Sequence, residues 1–404
     1  MKIELTSQFL DLVPVLEKLQ SLGYQAYFVG GAVRDLLIDK PIHDIDITTN
    51  ATPTQIKKAF KHIENYSGEK HGTVLAFLDD KSEPIEITTF RIDGDYLDGR
   101  HPENVSFTND LKEDLARRDF TINSLALNKE GEVIDFFDGL SDLDRKTIKA
   151  VGNPDKRFEE DGLRMIRAIR FAAQLDFVIE KSTLESIKKN KELLTNISIE
   201  RNRDEIEKLM LADNANSGLQ LIEDTKIHQY LPSSDGHYRY ENQLKLNPIN
   251  KIQAWFIFRS FWNIENLEKK SSFLKNDWKI DNDTSRAIRN IDENIPLNSD
   301  SDDELKIKIF NLAGYFDDLI AVGLSLTFIN VEQATQYKKI KDDLKINSAK
   351  ELKITGTDLV KQKIATAGPK LGKILKQLLE EVVLNKIENN STSLLQRAKD
   401  LTDD

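Results

Sequence analysis

Between residues 26 and 90 the chain sets short β-branched and aromatic runs between polar breaks. AYFVG (26–30), DIDITT (44–49), TVLAFL (73–78) and PIEITTF (84–90) have the length and composition of strands. Leu10 to Leu22 and Thr54 to Phe60 carry apolar residues at helical spacing, the second with Pro53 near its start. From about residue 155 the strand signals vanish. RFEEDGLRMIRAIRFAAQL, STLESIKKNKELL, ERNRDEIEKLMLA and SGLQLIEDTKIHQYL all show apolar positions every three or four residues. The chain still reads helical in KLGKILKQLLEEVVLNKI (370–387). The pattern predicts an α/β head with one sheet and a long all-α remainder. NIPLNSDSDDE (294–304), polar and strongly acidic, is the predicted linker.

Composition changes this picture only at its edges. The 404 residues suffice for several domains, and 39% hydrophobic with 31% charged residues is an ordinary globular balance. No window approaches the about 18 consecutive apolar residues of a membrane span. The N-terminal stretch, with acidic residues inside its apolar run, reads as an amphipathic helix and not a signal peptide. With no cysteine, disulfides, thiolate metal sites and a cysteine nucleophile are excluded, and a cytoplasmic setting is expected. A net charge of −11 speaks against a wholly nucleic-acid-binding surface, though a local basic groove remains compatible with it.

Candidate chemistry begins at Gly30-Gly31-Ala32-Val33-Arg34-Asp35, followed by Asp44-Ile45-Asp46. Two glycines between a strand and a helix let backbone approach a ligand closely and aim N–H groups at a phosphate. Asp44 and Asp46, two apart in a strand, project from one face. Paired hard oxygens suit Mg²⁺, which keeps waters and takes one or two carboxylates plus substrate phosphates. Glu86 is the expected third carboxylate if its strand lies beside the first. Read alone, such a pair is mostly two solvated residues at a strand end. In RRDFTINSLALN (117–128), Arg118 offers a fork of donors to a triphosphate, and Asp119 and Asn123 can bond a ribose or brace the site. The plainer reading of that segment is a helix burying Phe120, Ile122 and Leu125.

In the run from Arg157 to Arg170, Asp161 and Arg164 stand three apart, as neighbours on one helical face. Arg164, Arg167 and Arg170 extend that face as a stripe of positive charge that calls for an anion. A salt bridge between Asp161 and Arg164 is the structural alternative. The chemical one is sharper. Cytosine and adenine present an amino donor beside a ring-nitrogen acceptor, whereas uracil and guanine present a carbonyl beside an N–H. Aspartate only accepts and arginine only donates. One such pair can therefore admit C and A and refuse U and G without a template.

The order strand, GG, helix, DxD strand resembles the nucleotidyltransferase superfamily that includes DNA polymerase β. The fuller set resembles the class II tRNA nucleotidyltransferases, the bacterial CCA-adding enzymes and their poly(A) polymerase relatives. It comprises GGAVRDLL, IHDIDITT, GEKHGTVLAF, IEITTFR, RIDGDYLDGRHP, DLARRDFTINSLALN, VGNPDKRFEEDGLRMIRAIRFAAQLDF and ERNRDEIEKLM, in family order through most of 26–205. The resemblance implies a catalytic head (1–150), a base-recognising neck (151–215), a helical body (216–293) and a tRNA-binding tail (294–404). It implies metal on Asp44 and Asp46, base selection by Asp161 and Arg164, and nucleotide contacts from Gly31, Arg34, Arg118, Arg167 and Arg170. It further implies addition of C, C and A to tRNA 3′ ends from CTP and ATP, with a loop at 91–102 assisting the switch from C to A. Family members commonly carry two arginines before the proline of that loop; this chain has Arg100-His101-Pro102. In the tail, six lysines oppose one aspartate between Lys353 and Lys376, a basic patch suited to phosphates. The rival readings are a poly(A) polymerase, an A-adding tRNA enzyme and a non-catalytic RNA-binding relative. The sequence assigns no oligomeric state.

Overall fold

The computed structural model describes residues 1–60, 62–64, 72–77, 84–93, 105–232, 238–240, 244–295, 297 and 301–403. They form two compact units, Met1–Pro232 and Ser233–Asp404.

The first unit opens with α1 (Ser7–Ser21), which buries Phe9, Val15, Leu16 and Leu19. It continues through β1 (Ala26–Val29), α2 (Gly31–Leu37), β2 (Asp46–Thr49) and α3 (Pro53–Ala59), started by Pro53 and a Thr52/Gln55 capping box. Then come β3 (His62–Glu64), β4 (Thr73–Phe77), β5 (Ile85–Thr89), β6 (Arg91–Asp93), β7 (Val105–Phe107) and α4 (Leu111–Ala116). β8 (Leu125–Leu127) and β9 (Val133–Asp135) complete a seven-stranded sheet of order β3-β4-β5-β2-β1-β8-β9. β2 and β5 run parallel and the other pairs antiparallel. β6 and β7 make a separate ribbon. Past α5 (Gly139–Asp144) and β10 (Thr147–Ile148), helices take over: α6 (Pro154–Glu160), α7 (Leu163–Leu175), α8 (Lys181–Asn190), α9 (Ile199–Met210) and α10 (Ala215–Thr225).

The α/β head and helical remainder are as expected, with four differences. The head has the two-stranded β6–β7 ribbon beside its main sheet, so its strands do not all share one sheet. A strand lies beyond residue 155 after all, β11 (Val178–Ile179), pairing in parallel with β10. DIDITT is a strand only from Asp46, because the register ends where Val29 meets Asp46. Residues 117–128 form no helix. A short 3₁₀ turn at Thr121–Asn123 leads into β8, where Leu125, Ala126 and Leu127 are all buried, as a central strand requires.

The second unit is helical: α11 (Lys251–Ser260), α12 (Leu267–Ser272), α13 (Asn282–Asn294), α14 (Asp302–Leu312), α15 (Phe316–Ser325) and α16 (Val331–Asp342), then α17 (Gly356–Lys361), α18 (Pro369–Val383) and α19 (Ser391–Asp403). Trp255, Phe258, Trp262, Phe273 and Trp278 pack ring against ring in one core. A second core gathers Leu359, Ile374, Leu378, Val382, Leu394 and Ala398. The expected linker at 294–304 falls between α13 and α14, and 296 and 298–300 lie outside the described residues. No helix among the described residues is long and apolar enough to cross a membrane.

Candidate active site

Sheet register assembles the site. Val29, the last residue of β1, pairs with Asp46, the first of β2, so the Gly30-Gly31 turn lies beside the acidic pair. Parallel pairing of Ile47 with Ile87 sets Glu86 beside Asp46. On the far side Val29 pairs with Ala126, which brings the Thr121–Asn123 turn up against Gly30 and α2.

Gly30 has φ +78°, a conformation that side chains rarely adopt. A Cβ there would lie 3.0 Å from Arg118 Nη1 and 3.8 Å from Asp46 Oδ2. The glycine is what lets the arginine and the aspartate converge. Asp44 is exposed in the segment leading into β2, and Asp46 is partly buried. Burial raises the proton affinity of Asp46; Arg118 opposes that and Asp44 adds to it. Glu86 is raised by burial and then by Asp46 and Asp44. Three carboxylates that repel one another, with Arg118 as the nearby cation, make a fitting site for a divalent ion. Among the described residues no three acidic or histidine side chains converge into a metal cage. An ion on Asp44 and Asp46 would take its other ligands from water and phosphate.

A cleft of about 350 Å³ opens beside this strand end. Gly30, Gly31, Arg34, Asp46, Arg118, Asp119, Asn123, Arg164 and Arg167 line it, together with Arg117 and Phe171, which the sequence did not single out. Asp44, Glu86, Asp161 and Arg170 do not line it. One network runs across its floor. Arg34 donates to Asn123 Oδ1 (2.6 Å), Asn123 to Asp119 Oδ1 (3.0 Å), and Arg167 to Asp119 Oδ2 through Nε and Nη2 (2.8 and 2.6 Å). Burial pushes Asp119 up, but Arg167 beside it and the Asn123 amide outweigh that and hold it at about 2. The guanidinium carbons of Arg34, Arg167 and Arg170 lie 5.0, 5.3 and 3.9 Å from the Phe171 ring centre, where cation–π attraction stacks them.

The neck residues depart from expectation. α6 ends at Glu160 and Asp161 is extended (φ −149°, ψ 102°), so Asp161 and Arg164 do not share a helical face. Gly162, which follows the break with helical angles (φ −58°, ψ −23°), runs close to Leu193, whose carbonyl oxygen a Cβ there would meet at 3.1 Å. Asp161 instead accepts both Nη atoms of Arg201 on α9 (3.1 and 2.6 Å) and the Leu163 N–H (3.1 Å). Arg164 pairs with Glu160 (2.5 Å) and donates to the carbonyls of Arg157 (3.1 Å) and Arg117 (2.9 Å). Nor is the arginine stripe without anions. Arg170 bonds Glu205 of α9 at 2.5 Å, and Arg167 reaches Glu205 at 3.5 Å besides holding Asp119. Arg201 and Glu205, one turn apart on α9, were the residues that spacing missed; their i,i+4 relation within ERNRDEIEKLM was the available signal. The segments 68–71 and 94–104, which include most of the expected loop, lie outside the described residues.

Three family models match the chain: the poly A polymerase head domain at residues 26–149, the "Probable RNA and SrmB-binding site of polymerase A" at 176–235, and tRNA nucleotidyltransferase domain 2 at 247–398. The CCA-adding enzyme of Pediococcus pentosaceus is 40% identical over 404 residues, covering 98% of this chain and 99% of its own. That of Limosilactobacillus reuteri is also 40% identical, covering 100% and 99%. Among solved structures, the Bacillus stearothermophilus CCA-adding enzyme in complex with CTP superimposes with a TM-score of 0.81 at 29% identity, over 98% of both chains. The Thermotoga maritima enzyme complexed with tRNA, at 21% identity and a TM-score of 0.67, shares the fold.

Proposed function

The chain belongs to the CCA-adding enzyme family, and from that premise we propose how its residues divide the work of template-independent addition of C, C and A to tRNA from CTP and ATP. The observation that carries the reading is the single cleft in which Asp46, Arg118, Arg34, Arg164 and Arg167 meet beside an open glycine turn.

Transfer in this family depends on metal, and we assign Mg²⁺ to Asp44 and Asp46 as that metal. When bound, the ions supply a lowered proton affinity at the attacking hydroxyl and countercharge at the leaving pyrophosphate. The rest falls to the protein. The RNA 3′-oxygen attacks the α-phosphorus, the bond to the β-phosphate oxygen breaks, and pyrophosphate departs. We assign Glu86, beside Asp46 in the sheet register and raised in proton affinity, to take the hydroxyl proton. Arg118 and Arg34 line the cleft and offer guanidinium donors to a triphosphate, Gly31 opens the approach, and Arg167 and Arg170 stack on Phe171 as cationic support. Asp119 and Asn123 keep Arg34 and Arg167 in place.

Asp161 and Arg164 are the base-selecting pair in this reading. Of roughly four acceptor positions on a carboxylate, Asp161 spends three on Arg201 and Leu163, which leaves Oδ2 able to accept an exocyclic amino group. The head (1–150), neck (151–215), body (216–293) and tRNA-binding tail (294–404) are the matching division of labour. The protein would work in the cytoplasm on the tRNA pool. In a labelled-CTP assay with Mg²⁺, Asp46→Ala should lose at least a thousandfold in incorporation, of the order metal loss costs, with an unchanged far-UV spectrum. Incorporation near wild type would remove the metal assignment.

A further inference from the structure

Asp114, on α4, has no place in the chemistry above, and its side chain is wholly buried. Three hydrogen bonds and one ion pair surround it. Oδ1 receives Arg117 Nε (2.9 Å) and the Arg91 N–H at the start of β6 (3.3 Å). Oδ2 receives Thr48 Oγ1 (3.2 Å), from two residues beyond Asp46 on β2, and faces Arg118 Nη2 at 3.7 Å. Arg117 and the Arg91 N–H orient the carboxylate, and Thr48 shares its one hydroxyl proton between it and the Thr88 carbonyl (3.1 Å), whereas Arg118 makes no hydrogen bond to it. At 3.7 Å its contact is an ion pair without a hydrogen bond, and its buried Nε has no partner among the described residues. Arg118 Nη1 and Asp46 Oδ2 both lie within 4 Å of one point beside Gly30. The guanidinium thus has both carboxylates in its neighbourhood.

We propose that Asp114 is a positioning residue whose charge holds Arg118 back from Asp46, leaving Asp46 open to a metal ion. The inference rests on the reading of Asp44 and Asp46 as metal ligands. Arginine and carboxylate form their strongest contacts when bidentate and partly desolvated, and a guanidinium closed onto Asp46 would occupy the lone pairs a divalent cation needs. Two carboxylates competing for one arginine settle which of them stays free. Asp114 wins because Arg117, the Arg91 N–H and Thr48 have already oriented it.

The test is Mn²⁺ titrated into the nucleotide-free protein and followed by water-proton relaxation. Asp114→Asn keeps shape and removes charge; it should raise half-saturating Mn²⁺ about tenfold, the scale of one close charge pair. Adding Arg118→Gln to that variant should bring the value back to within about threefold of wild type, because the competitor is gone. Asp114→Glu keeps the charge and should also stay within about threefold, which carries the test if the Asn variant does not fold. Unaltered Mn²⁺ binding in Asp114→Asn, no recovery in the double variant, or a tenfold loss in Asp114→Glu overturns the proposal. Asp46→Asn separates the two levels: if it binds Mn²⁺ as tightly as wild type, the metal reading itself fails and the proposal falls with it.

Discussion

Less than a tenth of Asp119 is exposed, and burial alone would raise its proton affinity; Arg167 and Asn123 reverse the sign and hold it at about 2. An unfolded aspartate titrates near about 3.9. Because the folded value is the lower one, its contribution is complete above about pH 4 and is lost as pH falls toward 2, amounting to about 2 kcal/mol. Asp119→Asn should therefore be less stable near neutrality and lose less between pH 4 and 2 in chemical denaturation; parallel curves would contradict this. Arg201 poses a second test at the same scale. It grips Asp161, so Arg201→Ala should raise UTP incorporation relative to CTP by about tenfold, roughly one lost charged hydrogen bond, with the nucleotide KM less affected. Unchanged selectivity would detach Arg201 from base choice. Most of the residues that line the cleft were legible from the sequence, and their partners were not. The three-residue step from Asp161 to Arg164 implied one helical face, but the helix breaks at Asp161 itself, whose carboxylate pairs with Arg201, forty residues away. Likewise an apparently unpaired arginine stripe finds its anions on other elements, Asp119 and Glu205, which local spacing does not reveal.

At the scale of elements, strands were read correctly where β-branched runs fill a buried sheet, and misread where a strand is short. Leu125–Leu127 is buried on both faces, and three apolar residues carry no period that tells strand from helix. Asp44 lies just before β2 because pairing with β1 stops at Asp46, a limit set by the partner strand. The turn between β1 and α2 gives a sharp prediction. Gly30→Ala places a Cβ at φ +78° against Arg118, at a cost of about 1–3 kcal/mol, and should cut nucleotide incorporation by more than its effect on melting explains. α9 gives another. Glu205→Gln leaves the buried Arg170 without its counter-charge, which should cost about 3 kcal/mol and lower the melting temperature by roughly 10 °C in calorimetry. A shift below about 2 °C would mean that α9 is not the support its ion pairs make it.

Over the whole molecule, an acidic chain must still grip a polyanion. The net charge of −11 hides the lysine-rich stretch from Lys353 to Lys376, in which Lys363, Lys370 and Lys373 are exposed around the start of α18. Replacing these three with glutamine should raise the KM for tRNA and flatten its dependence on salt by about two to three counterions. The KM for CTP should not move. The α/β head and helical remainder could be read in advance because patterning and motifs span the chain, whereas the division into two compact units rests on long-range packing. The most direct test uses a tRNA transcript lacking its last three nucleotides, incubated with the pure protein and Mg²⁺, with products resolved at single-nucleotide length. CTP alone should lengthen it by two, and CTP with ATP by three, after which growth should stop. Long A tails, extension only of a transcript already ending in CC, or no extension at all would each contradict the account.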